Sequence, residues 1–467
     1  MVKTILFTFL FVLALVSCND DDETFDPFER EGYTYVPDGN FEKALIALGY
    51  DDVLDDYVLT NNIKDIVELN LSKLEINDLT GIEDFKNLEI LNCNDNQLKN
   101  LELRKLEFLR VFKCQYNQLS KLDVSQNRSL ELLYCTSNQL SSINVGKNKL
   151  LTALGCSQNQ ISSLDVSNNI SLIELGCNDN QLKNLNISNN PSLTYLSCGG
   201  NQLKNLDISN NPALIQLNCE RNLLKSIDLS NKLSLKRLYC GENQLSSLDL
   251  SKNSALESLH VDQNQLTSLD LAHNTLLIYL NCDGNQLTRL EVGNKFSLLE
   301  LSCRQNQLTV LDVSNNTLLK RLWCSENQLK SLDLSNNLEL TQLRCENNQL
   351  SSLDLSNNPS LIFLYCNENQ ITSLDVSNNY YLEYFHCYKN ELTSLIIGNK
   401  NFLTELYCNQ NQLTSLDVSR TPLRFLDCSA NEPLTCIKIH ENQLEWCTTT
   451  QFWKKDESTT CSTDCSN

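Results

Sequence analysis

Little in this sequence is equipped for covalent chemistry. It has no Gly-rich phosphate loop, no His-Glu-x-x-His and no Gly-x-Ser-x-Gly. Only four histidines occur in 467 residues, His260, His273, His386 and His440, and none has a nucleophile or a second ligand at a recognisable spacing. An enzyme, a metal centre and a cofactor are therefore not expected. Positive charge is also scarce. Against 58 Asp and Glu there are 37 Lys and Arg, a net charge of −21, which nucleic acid and anionic membrane surfaces would both repel. The apolar run at residues 5–16 is shorter than the roughly 20 residues a spanning helix needs.

Cysteine, by contrast, is plentiful and periodic. Of 21 cysteines, 15 fall on a strict 21-residue step that begins at Cys93 and ends at Cys408. One slot in the series is missed, and Val261 fills it. Valine cannot ligate a metal or close a disulfide, but it can replace a small buried apolar side chain. The ladder therefore reads as core. The chain reads as a solenoid in which each turn contributes one rung, so most of it forms one elongated body.

A typical unit, residues 172–192, is LIELGCNDNQLKNLNISNNPS, and the pattern LxxLxCxxNQLxxLDLSNNxx recurs in 17 rungs from the Cys93 slot to Cys428. The step from Cys408 to Cys428 is one residue short, and an irregular unit at residues 66–71 precedes the array, giving 17–18 rungs. Within a unit, Leu172, Leu175, Cys177 and Asn180 are echoed by Leu182, Leu185, Ile187 and Asn190. This resembles the leucine-rich repeat superfamily, and specifically its bacterial 21-residue nested form, sometimes called IRREKO. Twenty-one residues leave no room for a regular helix beside two extended stretches and their turns. The expectation is a leucine-rich repeat solenoid of short parallel strands and coil, with helix only in an N-terminal cap. At about 4.8 Å per strand, the body should be on the order of 80 Å long.

The two ends differ from the array. Residues 1–17, with Lys3 ahead of the apolar run, read as a signal peptide. They end Leu15-Val16-Ser17-Cys18, which resembles the bacterial lipobox and implies a diacylglycerol on Cys18. The acidic stretch Asn19-Asp20-Asp21-Asp22-Glu23 opens a flexible tether at residues 18–33. It resembles the export signal of surface lipoproteins in Bacteroidota, which implies the outer membrane and the cell surface. Residues 34–63 resemble N-terminal caps of leucine-rich repeat proteins from flavobacteria, with Phe41, Ala44, Leu45 and Leu48 on one face of a short helix ended by Gly49. The solenoid takes residues 64–435 and a C-terminal cap residues 436–467. In that cap Cys436, Cys447, Cys461 and Cys465 leave the period, and in an exported segment they suggest two disulfides with three possible pairings. A zinc site is the weaker rival. Resemblance to relatives with a Thr-Cys-Ile…Asp-Cys ending implies Cys436–Cys465, leaving Cys447–Cys461. Trp446, Phe452 and Trp453 would then seal the last strand edge.

Three rows of side chains remain. Asparagine stands three residues after every cysteine slot, from Asn96 to Asn431, where its amide can satisfy turn backbone in its own rung and a neighbouring one. The matching position in the second half of the unit is looser, since Lys232, Lys295 and Lys400 replace asparagine there, and that turn is expected to be more open to solvent. Asp165, Asp207, Asp228, Asp249, Asp270, Asp312, Asp333, Asp354 and Asp375 form an acidic row. Local N–H bonds account for it better than calcium does.

The informative variation lies on the first strand, where residues three before, one before and one after the cysteine point outwards. In leucine-rich repeat proteins this strand forms the concave sheet, the usual partner surface. Here it carries Tyr239, Tyr279, Arg321, Trp323, Arg344, Phe363, Tyr365, Tyr384, His386, Tyr388 and Tyr407, residue types that dominate binding hot spots. They are the candidate partner-binding residues. The expected function is binding of a protein ligand on another cell or in a surface complex. Glycan capture and a purely structural spacer are the alternatives.

Overall fold

The structure, a computed structural model, describes residues 30–448 and 452–465. Cys18 and the signal lie outside them. Each rung holds one three-residue strand just before its cysteine slot, such as Glu174–Gly176 or Arg321–Trp323. The strands pair in parallel and in register with those of the neighbouring rungs, from Glu68–Asn70 to Trp453–Lys454. The sheet has 19 strands: the 17 of the regular array, that of the irregular first unit, and one from the C-terminal cap. Each end strand has a single partner, so the sheet is open. In the strands of the array the central residue, leucine except for Phe112 and Phe385, points inwards and is buried, as is the residue in the cysteine slot that follows. No described helix is long and apolar enough to cross a membrane.

The ladder is core. Among the described residues sixteen cysteines are free and buried, and Val261 is buried among them. Burial pushes the thiols up, to about 12 at Cys93 and Cys156, because a thiolate is poorly solvated there.

After the cysteine the chain turns through a left-handed residue, with φ near +55° at Asp95, Glu326 and Gln410 alike. The asparagine that follows fixes this turn. Asn243 donates from Nδ2 to the carbonyls of Cys219 (3.0 Å), Cys240 (3.2 Å) and Gly241 (3.1 Å), and its Oδ1 accepts from the N–H of Leu224 (3.0 Å). One amide thus ties its own rung to the preceding one. The pattern survives the short last step, where Asn431 Oδ1 accepts from Leu413 N–H at 3.0 Å.

The second turn departs from expectation. It is the more buried of the two, since its asparagines, such as Asn316 and Asn337, are 0% exposed against 8% for Asn306 and Asn327 in the first turn. Asn337 Nδ2 donates to Val313 O (3.1 Å) and Asn316 O (3.0 Å), again one rung back. Lys232, Lys295 and Lys400 are equally buried. Their aliphatic stems fill the amide's place while the ammonium reaches a nearby oxygen, Asn231 Oδ1 in the case of Lys232 and Ser377 O at 3.0 Å in the case of Lys400. Burial lowers all three, Lys400 to about 8. A lysine at this position therefore marks a closed turn with a buried, hydrogen-bonded ammonium, not openness.

At the N-terminus, helix Gly39–Ala47 is capped by Asp38. Oδ1 of Asp38 accepts from Asn40 and Phe41 N–H (2.9 and 3.0 Å), and Oδ2 from Asn77 and Asp78 N–H (2.7 and 3.0 Å). A single carboxylate starts the helix and pins it to the first unit. Phe41 packs on Phe85 at 6.2 Å. Leu48, expected on the buried face, is the C-cap residue and is 48% exposed.

Helix is not confined to this end. A 3-10 turn Glu441–Gln443 and helix Leu444–Thr448 lie in the C-terminal cap, started by a capping box between His440 and Gln443. The chain there has left the 21-residue unit and has length to spare for a helical turn. Disulfides join Cys436 to Cys465 and Cys447 to Cys461. Trp453 is buried in the strand that covers Leu426–Asp427, with Phe452 against Phe425 (5.7 Å) and Trp446 (5.5 Å).

Two outcomes follow from this packing. Asn243→Ala leaves a buried backbone group unpaired at a cost of about 1–3 kcal/mol, so thermal melting should move down while partner binding is unchanged. Iodoacetamide at pH 8 should label none of the 16 ladder thiols in the native chain and all of them in guanidinium; native labelling would mean the core is breached.

Candidate functional site

In-register parallel pairing places like positions of successive rungs side by side. The position just before the cysteine therefore forms a column across the sheet. Over five consecutive paired strands this column reads Trp323, Arg344, Tyr365, His386, Tyr407. From Arg344 to Tyr407 each member meets the next through a π face or edge, while Trp323 is met by Arg304 from the neighbouring column. The Arg304 guanidinium lies 5.7 Å from the Trp323 ring and that of Arg344 4.6 Å from Tyr365. His386 meets Tyr365 at 4.4 Å and Tyr407 at 4.7 Å, both edge-on. One column over, Phe363 and Tyr384 stack at 4.9 Å with their planes 4° apart. Tyr388, on the third column, lies 6.4 Å from His386.

The structure thus brings together Trp323, Arg344, Phe363, Tyr365, Tyr384, His386, Tyr388 and Tyr407, with Arg321 at the edge, ion-paired to Glu300. It does not bring in the other two. Tyr239 packs against His260 (4.9 Å), and Tyr279 stands alone, 40% exposed. The assembled rings are half-buried, because each covers its neighbour.

Polar groups hold the column in place. Glu405 Oε1 lies 2.8 Å from His386 Nε2. Burial nevertheless holds His386 below the usual histidine range, keeping the imidazole neutral near pH 7. The indole N–H of Trp323 and Oε2 of Glu346 are buried without a partner among the described residues, and burial raises Glu346.

Two features were not anticipated. Asp283, 5% exposed, accepts from Ser302 Oγ (2.6 Å) and from Arg304 N (2.6 Å) and Nε (2.8 Å), aiming Arg304 at Trp323. Its signal in the sequence was an acid 21 residues before Arg304, at the same position of the preceding rung. A second apolar row, including Phe296, Tyr380, Tyr381 and Phe402, stands exposed where each unit turns back toward its next leucine, with Tyr381 stacked on Phe402 at 6.0 Å. The acidic row is spent within its own turns, as at Asp333 and Asp354, whose Oδ1 atoms each accept the N–H two residues on at 2.9 Å. These bonds hold the carboxyls below their usual range. A separate cleft of about 690 Å³ lies between the last rungs and the cap, lined by Lys400, Arg420, Arg424, His440 and Trp446 among others.

The chain is a leucine-rich repeat solenoid built on 21-residue units, and solved bacterial leucine-rich repeat proteins share its fold. The functional domain of InlJ from Listeria monocytogenes, which includes a cysteine ladder, is 29% identical over 84% of this chain and 83% of its own, with a TM-score of 0.66. YopM from Yersinia enterocolitica is 24% identical over 85% and 91%, with a TM-score of 0.62. The leucine-rich repeat ectodomain of the Arabidopsis thaliana receptor kinase GASSHO1/SCHENGEN3, solved in complex with Casparian strip integrity factor 2, is 20% identical over 86% and 60%, with a TM-score of 0.54. No family model and no curated protein matches the chain.

The histidine column carries a pH signature. A base whose folded value is lowered takes up its proton first in the unfolded chain, so stability is full above the unfolded value of 6.5 and falls below it. His386→Phe should therefore lose less melting temperature than wild type between pH 7.5 and pH 5.5; equal losses would remove His386 from that account.

Proposed function

We propose that the protein is a surface-held binding module, anchored by a lipid on Cys18 at the outer membrane, whose strand face from Trp323 to Tyr407 docks a protein partner on another cell or within a surface complex. The in-register column of Trp323, Arg344, Tyr365, His386 and Tyr407 on five paired strands carries this reading. Aromatic and arginine side chains give large contact area, and neighbours that already hold them in place leave little entropy to lose on docking. Neither the sequence nor the site supplies a nucleophile with a base beside it, and we read the protein as a binder, not an enzyme. The receptor ectodomain that shares this fold is itself held in a complex by its binding partner.

Glycan capture is the second reading. The nearly coplanar Phe363 and Tyr384 pair offers a flat platform of the kind that stacks on sugar rings.

The test is capture of the full mature chain on cell surfaces pretreated with protease or with periodate. Loss after protease alone supports the protein partner, and loss after periodate alone supports the glycan. Trp323→Ala with Tyr365→Ala should weaken capture by roughly 30-fold or more, the scale of a hot-spot pair at about 2 kcal/mol. Unchanged capture by this variant would leave the solenoid as a spacer.

A further inference from the structure

Nearer the N-terminus, the same strand face carries a group of different chemistry. Glu220 and Asp262 occupy the position after the cysteine slot on rungs two apart, and His260 the position before the slot on the second of them. One ligand atom from each of the three lies within 4.8 Å of the others. All three side chains are half-buried. The rung between them has Gly241 at the corresponding position. A Cβ there would meet Asp262 Oδ1 at 2.6 Å and Cγ at 2.9 Å. The missing side chain is what lets the Asp262 carboxylate lean across the intervening rung towards Glu220.

Among the described residues no lysine or arginine forms an ion pair with either carboxylate, and Arg221, the nearest cation in sequence, is paired with Asp179 at 2.9 Å. Hydrogen bonds from Asn218 to Glu220 and from the backbone of Asp262 to its own carboxylate do not outweigh burial. Two facing carboxylates without a cation repel each other at a cost that a bound cation would remove. Burial raises both carboxyls, helped at Glu220 by the charge of Asp262 and at Asp262 by Asp283 and Glu242, while burial lowers His260 and favours the neutral imidazole that ligates metals.

From this geometry we infer that Glu220, His260 and Asp262 form a binding site for one divalent transition cation of the zinc type. The donor set decides the class. One imidazole with two carboxylates suits zinc and its neighbours in the first transition row. Calcium takes oxygen ligands and has no use for the imidazole. Three protein ligands leave at least one position to solvent or to an incoming group. Bonds of about 2.0–2.2 Å would draw the three side chains somewhat closer than they stand here.

The test is zinc binding by the full chain, stripped with EDTA and then titrated with ZnCl2, with CaCl2 and MnCl2 as comparison ions. Wild type should retain one equivalent of Zn2+ after dialysis. His260→Gln and Glu220→Gln should each bind it at least tenfold more weakly. Gly241→Ala should do the same by pushing the Asp262 carboxylate away, although it removes no ligand. His273→Gln, which alters a histidine outside the site, should bind as wild type does. Far-UV circular dichroism melts without metal check that each variant is folded; if Gly241→Ala fails to fold, the two ligand variants still decide. Absence of zinc binding by wild type, equal zinc binding by the ligand variants, or a preference for Ca2+ would each overturn the site.

Discussion

Everything in this molecule rests on one amide. The asparagine three residues after each cysteine slot donates to carbonyls of its own rung and the previous one and accepts a backbone N–H from the previous rung. A 21-residue turn has too few residues to pair all its backbone groups in regular ladders, and unpaired groups beside the core would be costly. The amide supplies both donors and an acceptor at the same height in every rung. It holds the left-handed turn, and the turn delivers the chain to the next strand in register. The flat stacking of strands, the thiol column and the aromatic column all depend on that register.

Periodic features were legible in the sequence because a period of 21 converts directly into neighbourhood. The thiol ladder, the strand before it, and the column from Trp323 to Tyr407 could be read by adding 21. Features set by burial rather than period were not. Lys232 in an asparagine position suggested an open turn, yet the turn is closed and the lysine threads its stem through it. Leu48 fits the helical face by spacing, but the helix ends before it can be covered. The helix Leu444–Thr448 arises where periodicity stops, so no pattern announced it. His260 looked isolated until Glu220 was counted 42 residues before Asp262, two periods exactly spanned by a rung whose outward position is glycine.

The electrostatics follow the same division. The protein has a net charge of −21, yet many of its carboxylates are tied down locally. Those of the acidic row are tied into their own turns, and Asp283 is occupied by Arg304 and Ser302. Glu220 and Asp262 are drawn together on the strand face with no ion-paired lysine or arginine among the described residues. On the same sheet the aromatic column begins three rungs further on, so two chemically distinct zones share one rigid surface at a fixed separation.

The rungs are so alike that the array is nearly invariant to translation by one unit. Removing or duplicating 21 residues would restore almost every core contact, every amide lock and every strand pairing, and would lengthen or shorten the body by about 4.8 Å. What such a change alters is distance: between the two caps, and between the carboxylate cluster and the aromatic column. The solenoid is in this sense a graduated ruler, in which reach can drift between related chains by whole divisions while the markings on either side of the insertion keep their chemistry.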